Sequence, residues 1–318
     1  YKYSLFLEAI VSKEMALYQK IKVKKVKELL EERRLLPWLS VALLNWGVII
    51  LTTYLAVYWD HPVLYIVAIG ILGTRQHALQ LLGHDGGHYL VCKSRKLNDL
   101  LTVLLAFWPI FISLKAYRKF HFSHHNHLGT PKDPELEFKK MIATEFSLPQ
   151  RKQSALKQFA KNILGLNALE MFKTTALVFP GRYKLAKMLM IVAMVFGLFI
   201  LIGLWKAYLL WIISFSTSYL AIHKYRTWIE HVGTTSTHRI KAKLWQRLIY
   251  LPINTWCHYE HHLWASVPFW KLPLDRKLVA DEKVITVDDV WEMYKNAPEI
   301  PSGKSVLEMD DFEGTSLV

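Results

Sequence analysis

Cysteine is scarce in this sequence, which excludes a fold held together by disulfide bonds. Only Cys92 and Cys257 occur in 318 residues, whereas a disulfide framework needs several pairs at regular spacings. A site that faces a reducing cytoplasm is the simpler interpretation. Cys257 precedes His258, but adjacent residues on a helix point about 100° apart. We therefore interpret this cysteine as a packing residue and not as a metal ligand.

Acidic residues are also few relative to basic ones. The chain has 26 Asp and Glu against 40 Lys and Arg, a formal net charge of +14, and 52% of its residues are hydrophobic. Membrane proteins of such composition carry their excess of Lys and Arg in cytoplasmic loops. We therefore expect no binding to nucleic acid, while a basic face is compatible with an acidic redox partner.

Charged residues are absent from positions 37 to 59, a run long enough to cross the roughly 30 Å hydrocarbon core as a helix. A second span follows from Pro62 to about Leu82 and completes a hairpin. The apolar runs 188–205 and 207–222, joined at Lys206, predict a second hairpin, because one continuous helix would be far longer than a bilayer is thick.

Histidine, in contrast, is concentrated. Three short windows hold nine of the 14 histidines, at positions 84–88, 121–127 and 258–262. Residues three and four apart share a helix face, so the spacings H-x-x-x-H and H-x-x-H-H direct several rings to one side. The segment 100–114 is short and contains Pro109. Because a full crossing there would separate the first two windows, we expect it to lie in the interface or to re-enter.

These observations predict an all-α integral membrane protein with four transmembrane helices in two hairpins and a cytoplasmic helical cap that carries the histidines. Residues 1–36 form a basic N-terminal helical segment, residues 37–296 the membrane domain, and residues 297–318 a flexible acidic tail. We expect a multi-pass protein with its active site and both termini in the cytoplasm. A bacterial cytoplasmic membrane is the favoured location, with the endoplasmic reticulum as the alternative.

The histidine windows indicate a transition-metal site. Neutral imidazole suits zinc, iron, copper and nickel, and a zinc site needs only three or four protein ligands. Eight histidines at ligand spacing exceed that number, which favours two ions and, for an all-nitrogen shell in a membrane protein, iron. A zinc-dependent membrane hydrolase or receptor and a non-enzymatic metal carrier are the alternatives from other functional classes.

The three windows, in this order, resemble the histidine boxes of the membrane-bound fatty acid desaturase superfamily. The resemblance extends to Arg118-Lys119-Phe120 before the second box, to Asp133-Pro134 after it, and to the run 226–231. It implies a non-haem di-iron centre of two iron ions, with an additional ligand at His231, while His127 matches no box position. Carried over to this sequence, the implied iron ligands are His84, His88, His121, His124, His125, His231, His258, His261 and His262.

The resemblance also implies the reaction, in which O2 as co-substrate and two electrons serve to insert a C=C bond into an acyl chain. The alternative is a hydroxylase or ketolase of a carotenoid, alkane or lipid. Ligating histidines commonly donate their second ring N–H to a carboxylate, and we favour Glu230, paired with Arg226, in such a role. The candidates that would orient the ligands are Asp85, Asp133, Arg226, Glu230 and Glu260.

The same resemblance leaves the electron donor outside this chain. His61-Pro62 is followed by Val63-Leu64, not by the Gly-Gly of the cytochrome b5 haem motif. We therefore expect a separate donor of the ferredoxin or cytochrome b5 type, together with its reductase. The third box begins with His258 and not with Gln, which argues against the front-end desaturases.

Overall fold

The computed structural model describes residues 32–128, 130, 132–135, 152–176, 182–231, 237–276 and 284–295. The predicted acidic tail and most of the predicted basic N-terminal segment lie outside these residues. Within them the chain is mainly helical, as predicted. A short two-stranded sheet is an addition that the all-α prediction did not contain.

The first hairpin consists of α1, Leu35–Trp59, and α2, Pro62–Gly87. Asp60 adopts a left-handed conformation at the end of α1. His61 then caps α2, since its ring accepts a hydrogen bond from the Val63 N–H, and Pro62 occupies the first helical turn, where no N–H is needed. The chain therefore reverses within two residues, and the two helices pack along each other.

The segment after the first box is bent and does not form one straight span. Helix α3, Arg95–Thr102, continues into a π-helical turn, Val103–Phe107, and a 3-10 turn, Trp108–Ile110. Helix α4, Leu114–His127, then leaves at 93° to it. A serine starts each helix by accepting a backbone hydrogen bond, Ser94 for α3 and Ser113 for α4. A bent pair of this kind is either a broken span or a re-entrant segment, so the expected place of this segment in the interface stays a prediction.

A tryptophan satisfies the carbonyl that is freed at this bend. Pro109 lacks an N–H, so the carbonyl four residues before it, on Leu105, has no ordinary helical donor. The indole N–H of Trp46 donates to Leu105 O at 2.9 Å, and that of Trp211 donates to Pro109 O at 2.9 Å. Because backbone groups away from water must find partners, these two side chains allow a broken helix beside α1.

The second half begins with α5, Lys152–Ile163, and α6, Ala168–Thr175, followed by α7, Lys184–Leu201, and α8, Trp205–Ser214. A π-helical turn, Phe215–Tyr219, links α8 to α9, Leu220–Ile229. Lys206, in the first turn of α8, contacts Asp60 at 2.7 Å. The turns of both hairpins therefore lie at the same end of the bundle.

The remaining elements pack beside the third box. Strand β1, Arg239–Lys241, pairs in parallel with β2, Val284–Thr286, with Ile240 opposite Ile285. The short helices here are α10, Leu244–Ile249, a 3-10 turn, Thr255–Cys257, α11, His258–Leu263, α12, Leu272–Asp275, and α13, Val287–Lys295. Their buried core includes Tyr225 of α9, Ile240 of β1 and Val290 of α13.

Two helices of the described residues, α1 and α7, are long and apolar enough to cross a membrane, and a third is obtained if the bent pair of α3 and α4 counts as one span. Four crossings are therefore not established. Helix α2 has the length, but it carries Arg75, Gln76, His77 and Gln80 within its sequence, and such side chains lower its hydropathy. The cytoplasmic orientation of the histidine-bearing end stays a prediction.

Two hydrogen bonds and two glycines determine how α2 packs against its neighbours. Gln76 donates to Trp211 O at 2.9 Å, and the Tyr219 hydroxyl donates to Gln80 Oε1 at 3.0 Å. Nearer the C-terminal end of the helix, a Cβ at Gly86 would lie 1.9 Å from Thr102 Oγ1, and one at Gly83 would lie 2.0 Å from the Phe107 ring. The absence of a side chain at these two positions lets α3 and its π turn approach the first histidine box.

Candidate metal centre

Four segments bring the histidine boxes to one end of the bundle. His84 lies in the last turn of α2 and His88 follows that helix directly, while the second box occupies the C-terminal half of α4. His231 follows the end of α9, and the third box forms α11. Since Pro62 begins α2, His84 lies roughly 33 Å along the helix from the hairpin turn, at 1.5 Å per residue.

The nine predicted ligands form two groups, and within each group the candidate donor atoms all lie within 4.8 Å of one another. The first cluster consists of His84, His88, His121, His125 and His261, and the second cluster consists of His124, His231, His258 and His262. The structure thus brings together every histidine that the sequence nominated, in two sets. Their role as ligands stays a proposal.

Each of the two H-x-x-H-H boxes contributes two histidines to one cluster and its remaining histidine to the other cluster. In α4 the i,i+4 pair His121 and His125 belongs to the first cluster, while His124 belongs to the second. In α11 the i,i+4 pair His258 and His262 belongs to the second cluster, while His261 belongs to the first. Helix geometry accounts for this sorting, because residues four apart lie nearly above one another and the residue at i+3 points to the side.

The imidazole Nε2 atoms converge within each cluster. The separation between Nε2 atoms is 2.8 Å for His121 and His88, 3.0 Å for His125 and His121, and 3.1 Å for His261 and His125. In the second cluster it is 3.0 Å for His262 and His258 and 3.1 Å for His258 and His231. The rings therefore direct their Nε2 atoms toward two common points.

The titration of the third box favours neutral rings. Burial, followed by the charges of neighbouring histidines, lowers the pKa of His258 and His261 well below the ordinary value, and burial acts in the same way on His262. These imidazoles are therefore uncharged near neutral pH, which is the form that binds a metal ion. Burial raises the pKa of the Cys257 thiol, which agrees with its interpretation as a packing residue.

Two predicted aspartates, Asp133 and Asp85, lie beside the boxes. Both carboxylate oxygens of Asp133 lie 2.9 Å from His124 Nδ1, the arrangement in which a carboxylate fixes the tautomer of a ligating ring. Asp85 Oδ1 lies 3.7 Å from His84 Nδ1, and Asp85 Oδ2 accepts a hydrogen bond from the Phe269 backbone N–H at 3.0 Å. Asp85 therefore connects the end of α2 to the loop after the third box.

The other predicted carboxylates pair with arginines. The predicted pair of Arg226 and Glu230 is present at 2.7 Å, and Glu230 Oε1 also lies 3.6 Å from His258 Nδ1. Glu260, which is fully buried, contacts Arg239 at 3.0 Å. Glu260 therefore anchors α11 to β1 through an arginine that sequence reasoning missed, since nothing in its spacing connects Arg239 to the third box.

Glu135 is a further residue that sequence reasoning missed. Its carboxylate oxygens lie 3.1 Å from His124 Nε2 and 4.0 Å from His231 Nε2. The only signal in the sequence was its position two residues after Asp133. In contrast to Asp133, which contacts the outer nitrogen of His124, Glu135 faces the nitrogen that points into the second cluster.

Two other histidines, His127 and His77, lie outside both clusters. His127 Nδ1 contacts the Ser123 carbonyl oxygen at 2.8 Å within its own helix. His77 is fully buried, and the centre of its ring lies 6.2 Å from that of His223. Neither residue belongs to a group that could hold a metal ion among the described residues.

Arg118 holds the end of the first box against α4. Its guanidinium donates to Gly87 O at 2.9 Å and to Gly86 O at 3.2 Å, and it pairs with Asp99 at 2.8 Å. Its charged group also lies 3.8 Å from the centre of the Tyr89 ring, a residue with a positive φ of 60°. One side chain therefore satisfies two carbonyls at the end of α2 and fixes where His88 lies.

We expect Arg118→Met to misplace His88 and to weaken metal binding by about 10- to 100-fold, the usual effect of losing a group that supports a ligand. Arg118→Lys should rescue this only in part, because a single ammonium group cannot reproduce the fork of guanidinium donors. Metal content per chain after dialysis measures the effect. Arg95→Met, at an exposed neighbour, is the control, and equal metal content in all three variants would contradict the assignment.

A cavity of about 360 Å³ opens beside both clusters. His84 and His121 of the first cluster and His258 of the second line it. Its other walls are mostly apolar, from Ile110, Phe111, Ile112, Ala116, Met171 and Leu220. Such a space suits a molecule with a substantial apolar part.

Polar and charged side chains also line the cavity. Lys224 and Glu170 both line the cavity and form an ion pair at 3.0 Å, with the lysine side chain only 1% exposed. Ionisable groups inside a membrane protein generally mark a substrate or ion path. Gln80 and Tyr219 also line the cavity and bond to each other.

The sequence profile of the fatty acid desaturase family matches residues 58–284, which is more than half of the chain. The chain belongs to this family. The resemblance carried by the histidine boxes is thereby confirmed at the level of the family. The matched range contains all three boxes, His231 and the residues of the cavity named above.

Two similar proteins carry names that state different reactions. Dihydrorhizobitoxine desaturase from Bradyrhizobium elkanii is 27% identical over 254 residues, covering 72% of this chain and 70% of that protein. Beta-carotene 4-ketolase from Protosiphon botryoides is 27% identical over 234 residues, covering 69% of this chain and 52% of that protein. The chain therefore spans about half the length of the ketolase. One relative is thus named as a desaturase and the other as a ketolase.

Proposed function

We propose that the protein is an O2-dependent di-iron oxidoreductase of the membrane that desaturates an acyl chain. The observation that carries the proposal is the pairing of two converging histidine clusters with a largely apolar cavity whose wall contains histidines of both. Membership of the desaturase family supports it. Apart from acyl desaturation, hydroxylation or ketone formation on a lipid, alkane or carotenoid is the second candidate, favoured by the similarity to a beta-carotene 4-ketolase.

The residues present fit two iron ions. His84 Nε2 is buried and has no hydrogen-bond partner among the described residues, which is costly for a polar atom unless a cation binds it. Neutral nitrogen ligands suit iron, copper, zinc or nickel, and one zinc ion would leave five of the nine histidines unused. His84, His88, His121, His125 and His261 would hold one iron, and His124, His231, His258 and His262 the other.

When bound, the two irons would supply the oxidising power that O2 and two electrons provide for removing hydrogen from an unactivated carbon. The protein contributes placement and exclusion of water. Asp133 keeps the Nδ1 proton of His124 on its outer side, so that Nε2 is directed inward as a lone pair. The apolar wall of Ile110, Phe111 and Leu220 would hold the substrate chain beside the clusters in a dry environment.

The membrane arrangement and the electron supply belong to the same proposal. Four crossings in two hairpins, with the clusters and both termini on the cytoplasmic side, would place the cavity at the depth of an acyl chain. Helices α1 and α7 support two of these crossings. A separate ferredoxin or cytochrome b5-type protein with its reductase would deliver the electrons, and a bacterial cytoplasmic membrane is the favoured location.

Iron quantitation and product mass test the proposal together. We expect two irons per active chain and a product formed only with O2 and an electron donor. Desaturation removes two hydrogen atoms from the substrate, hydroxylation adds one oxygen atom, and ketone formation adds one oxygen while removing two hydrogens, so mass spectrometry of extracted lipids separates them. Fewer than two irons in active protein, or turnover without O2, would contradict the proposal.

A further inference from the structure

A groove of about 710 Å³ runs along the side of α4 that faces away from the cavity. Its α4 wall contains Lys115 and Lys119, whereas Ala116 and Tyr117 of the same helix line the cavity. Because successive residues of a helix point about 100° apart, α4 separates the two spaces. We infer that the groove binds the head group of an anionic phospholipid, with Lys115 and Lys119 holding its phosphate. This inference is independent of the proposed reaction.

Lys115 and Lys119 supply the charge of the groove that has no partner in the protein. Both are exposed, and neither forms an ion pair with another residue that the structure describes. Arg118 also lines the groove, but its guanidinium pairs with Asp99 at 2.8 Å. Residues four apart share a helix face, with Cβ atoms about 5 to 6 Å apart. One phosphate group can therefore accept hydrogen bonds from both ammonium groups.

The opposite side of the groove is apolar, which favours a lipid over a free anion. Val103 and Trp108 line this side, and Trp108 is 63% exposed. Leu100 and Leu104, from the same stretch of the chain, are exposed as well. Tryptophan is enriched where a membrane meets water, and lysine extends its apolar stem along such a surface while its charge stays in water.

The shape of this part of the chain also favours a lipid over a soluble acidic protein. The stretch 95–110 and α4 together have the composition of a membrane span that is broken or re-entrant. Exposed leucines and a tryptophan in such a stretch face hydrocarbon and head groups at low cost, whereas a soluble partner would leave part of them in water. The groove therefore matches an amphiphile, whose phosphate meets the lysines and whose acyl chains meet the apolar side.

A lipid in this groove would contact α4 along most of its length. Ser113, which caps the first turn of α4, and Phe122, within the second box, both line the groove. The centre of the Phe122 ring lies 5.5 Å from that of His88 in the first cluster. Occupancy of the groove would therefore stabilise the position of α4 beside the first cluster without reaching the cavity. The lipid acts as a structural ligand and not as the substrate.

The test is native mass spectrometry of the full-length protein, purified in detergent and mixed with defined lipids. We expect the wild type to retain one palmitoyl-oleoyl-phosphatidylglycerol per chain and to bind phosphatidylcholine with the same acyl chains more weakly, because that head group has no net charge. A lysine near an anionic lipid contributes about a five-fold gain in affinity, so Lys115→Gln/Lys119→Gln should weaken retention of phosphatidylglycerol by about 30-fold. Lys115→Arg/Lys119→Arg keeps both charges and should retain the lipid, which guards against failure of the Gln variant to fold.

Lys93→Gln/Lys96→Gln is the matched control, because it removes two charges from exposed lysines that do not line the groove. It should retain phosphatidylglycerol as the wild type does, and both Gln variants should keep the wild-type metal content. Unchanged retention in Lys115→Gln/Lys119→Gln would overturn the inference and favour an acidic protein as the occupant. An equal loss in the control would overturn it as well, since it would show general attraction to a basic surface.

Inorganic phosphate separates a lipid site from a site for a free anion. Phosphate at the same concentration as the lipid should not displace phosphatidylglycerol from the wild type, because it cannot use the apolar side of the groove. Displacement would contradict the inference. A wild type that retains no phosphatidylglycerol would refute it too and would leave the proposed function untouched, because iron content and turnover test that function separately.

Discussion

Replacement of His124 by alanine should abolish turnover and remove one of two bound irons. His124 is 1% exposed, belongs to the second cluster and has its outer nitrogen fixed by Asp133. Its loss would leave the second ion with three histidines and would also leave the carboxylate of Asp133 buried without its partner. Because loss of a supporting group alone costs about 10- to 100-fold, we expect at least about a 100-fold decrease in activity.

His127→Ala is the control for this prediction, since the residue lies on the same helix and the hydrogen bonds described for its ring are to Ser123 alone. We expect this variant to keep the wild-type iron content. The measurement is lipid profiling of a host that expresses each variant, combined with iron determination on purified protein. Wild-type product formation by His124→Ala would show that His124 is not a ligand.

The contrast between His124 and His127 shows what the sequence determines in this site. Spacings of three and four residues predict that rings share a helix face, and His84 with His88 and His121 with His125 do so. The same rule cannot tell which of two neighbouring ions a ring serves. His124 and His261 each join the cluster formed by the other helix, an exchange that depends on how α4 and α11 cross.

Residues distant in sequence explain most of what was not predicted. Arg239 pairs with Glu260 only because β1 packs beside α11, and Phe269 reaches Asp85 across 184 positions. Glu135 lies close to the second box in sequence, but a glutamate after a proline has no helical spacing that would predict its direction. Long-range packing therefore supplies the parts of the site that local periodicity does not.

The number of membrane crossings has a similar explanation. Hydropathy identifies α1 and α7 because each contains a long and strongly apolar window. Helix α2 and the continuous stretch from α8 to α9 line the cavity and the clusters, so they carry groups such as Gln80, Lys224 and Arg226. Polar side chains that line a functional site lower the mean hydropathy of these helices, and hydropathy is the property by which a membrane span is recognised. The four-span prediction was based on apolar runs, on their length and on the parity of the crossings, and the structure does not establish it.

The second large effect is expected from filling the cavity. Ala116 lies half-buried in the first turn of α4 and lines the cavity together with Phe111 and Leu220. We expect Ala116→Trp to exclude the substrate chain from the space beside the clusters, because the indole ring would occupy part of a volume of about 360 Å³. A displacement of the reacting carbon by about 1 Å can cost roughly 100-fold in rate, and exclusion should cost at least as much.

Iron content distinguishes this effect from damage to the metal centre. Ala116 belongs to neither cluster, so Ala116→Trp should bind two irons, as we expect for the wild type, while product formation falls. Ala116→Leu should fall between the wild type and the Trp variant, and it should favour shorter or thinner substrates when chain lengths compete. Ala160→Trp, at an exposed position of α5, should change neither quantity. Wild-type turnover by Ala116→Trp would mean that the substrate reaches the histidines by another path, since no chain could pass an occupied cavity.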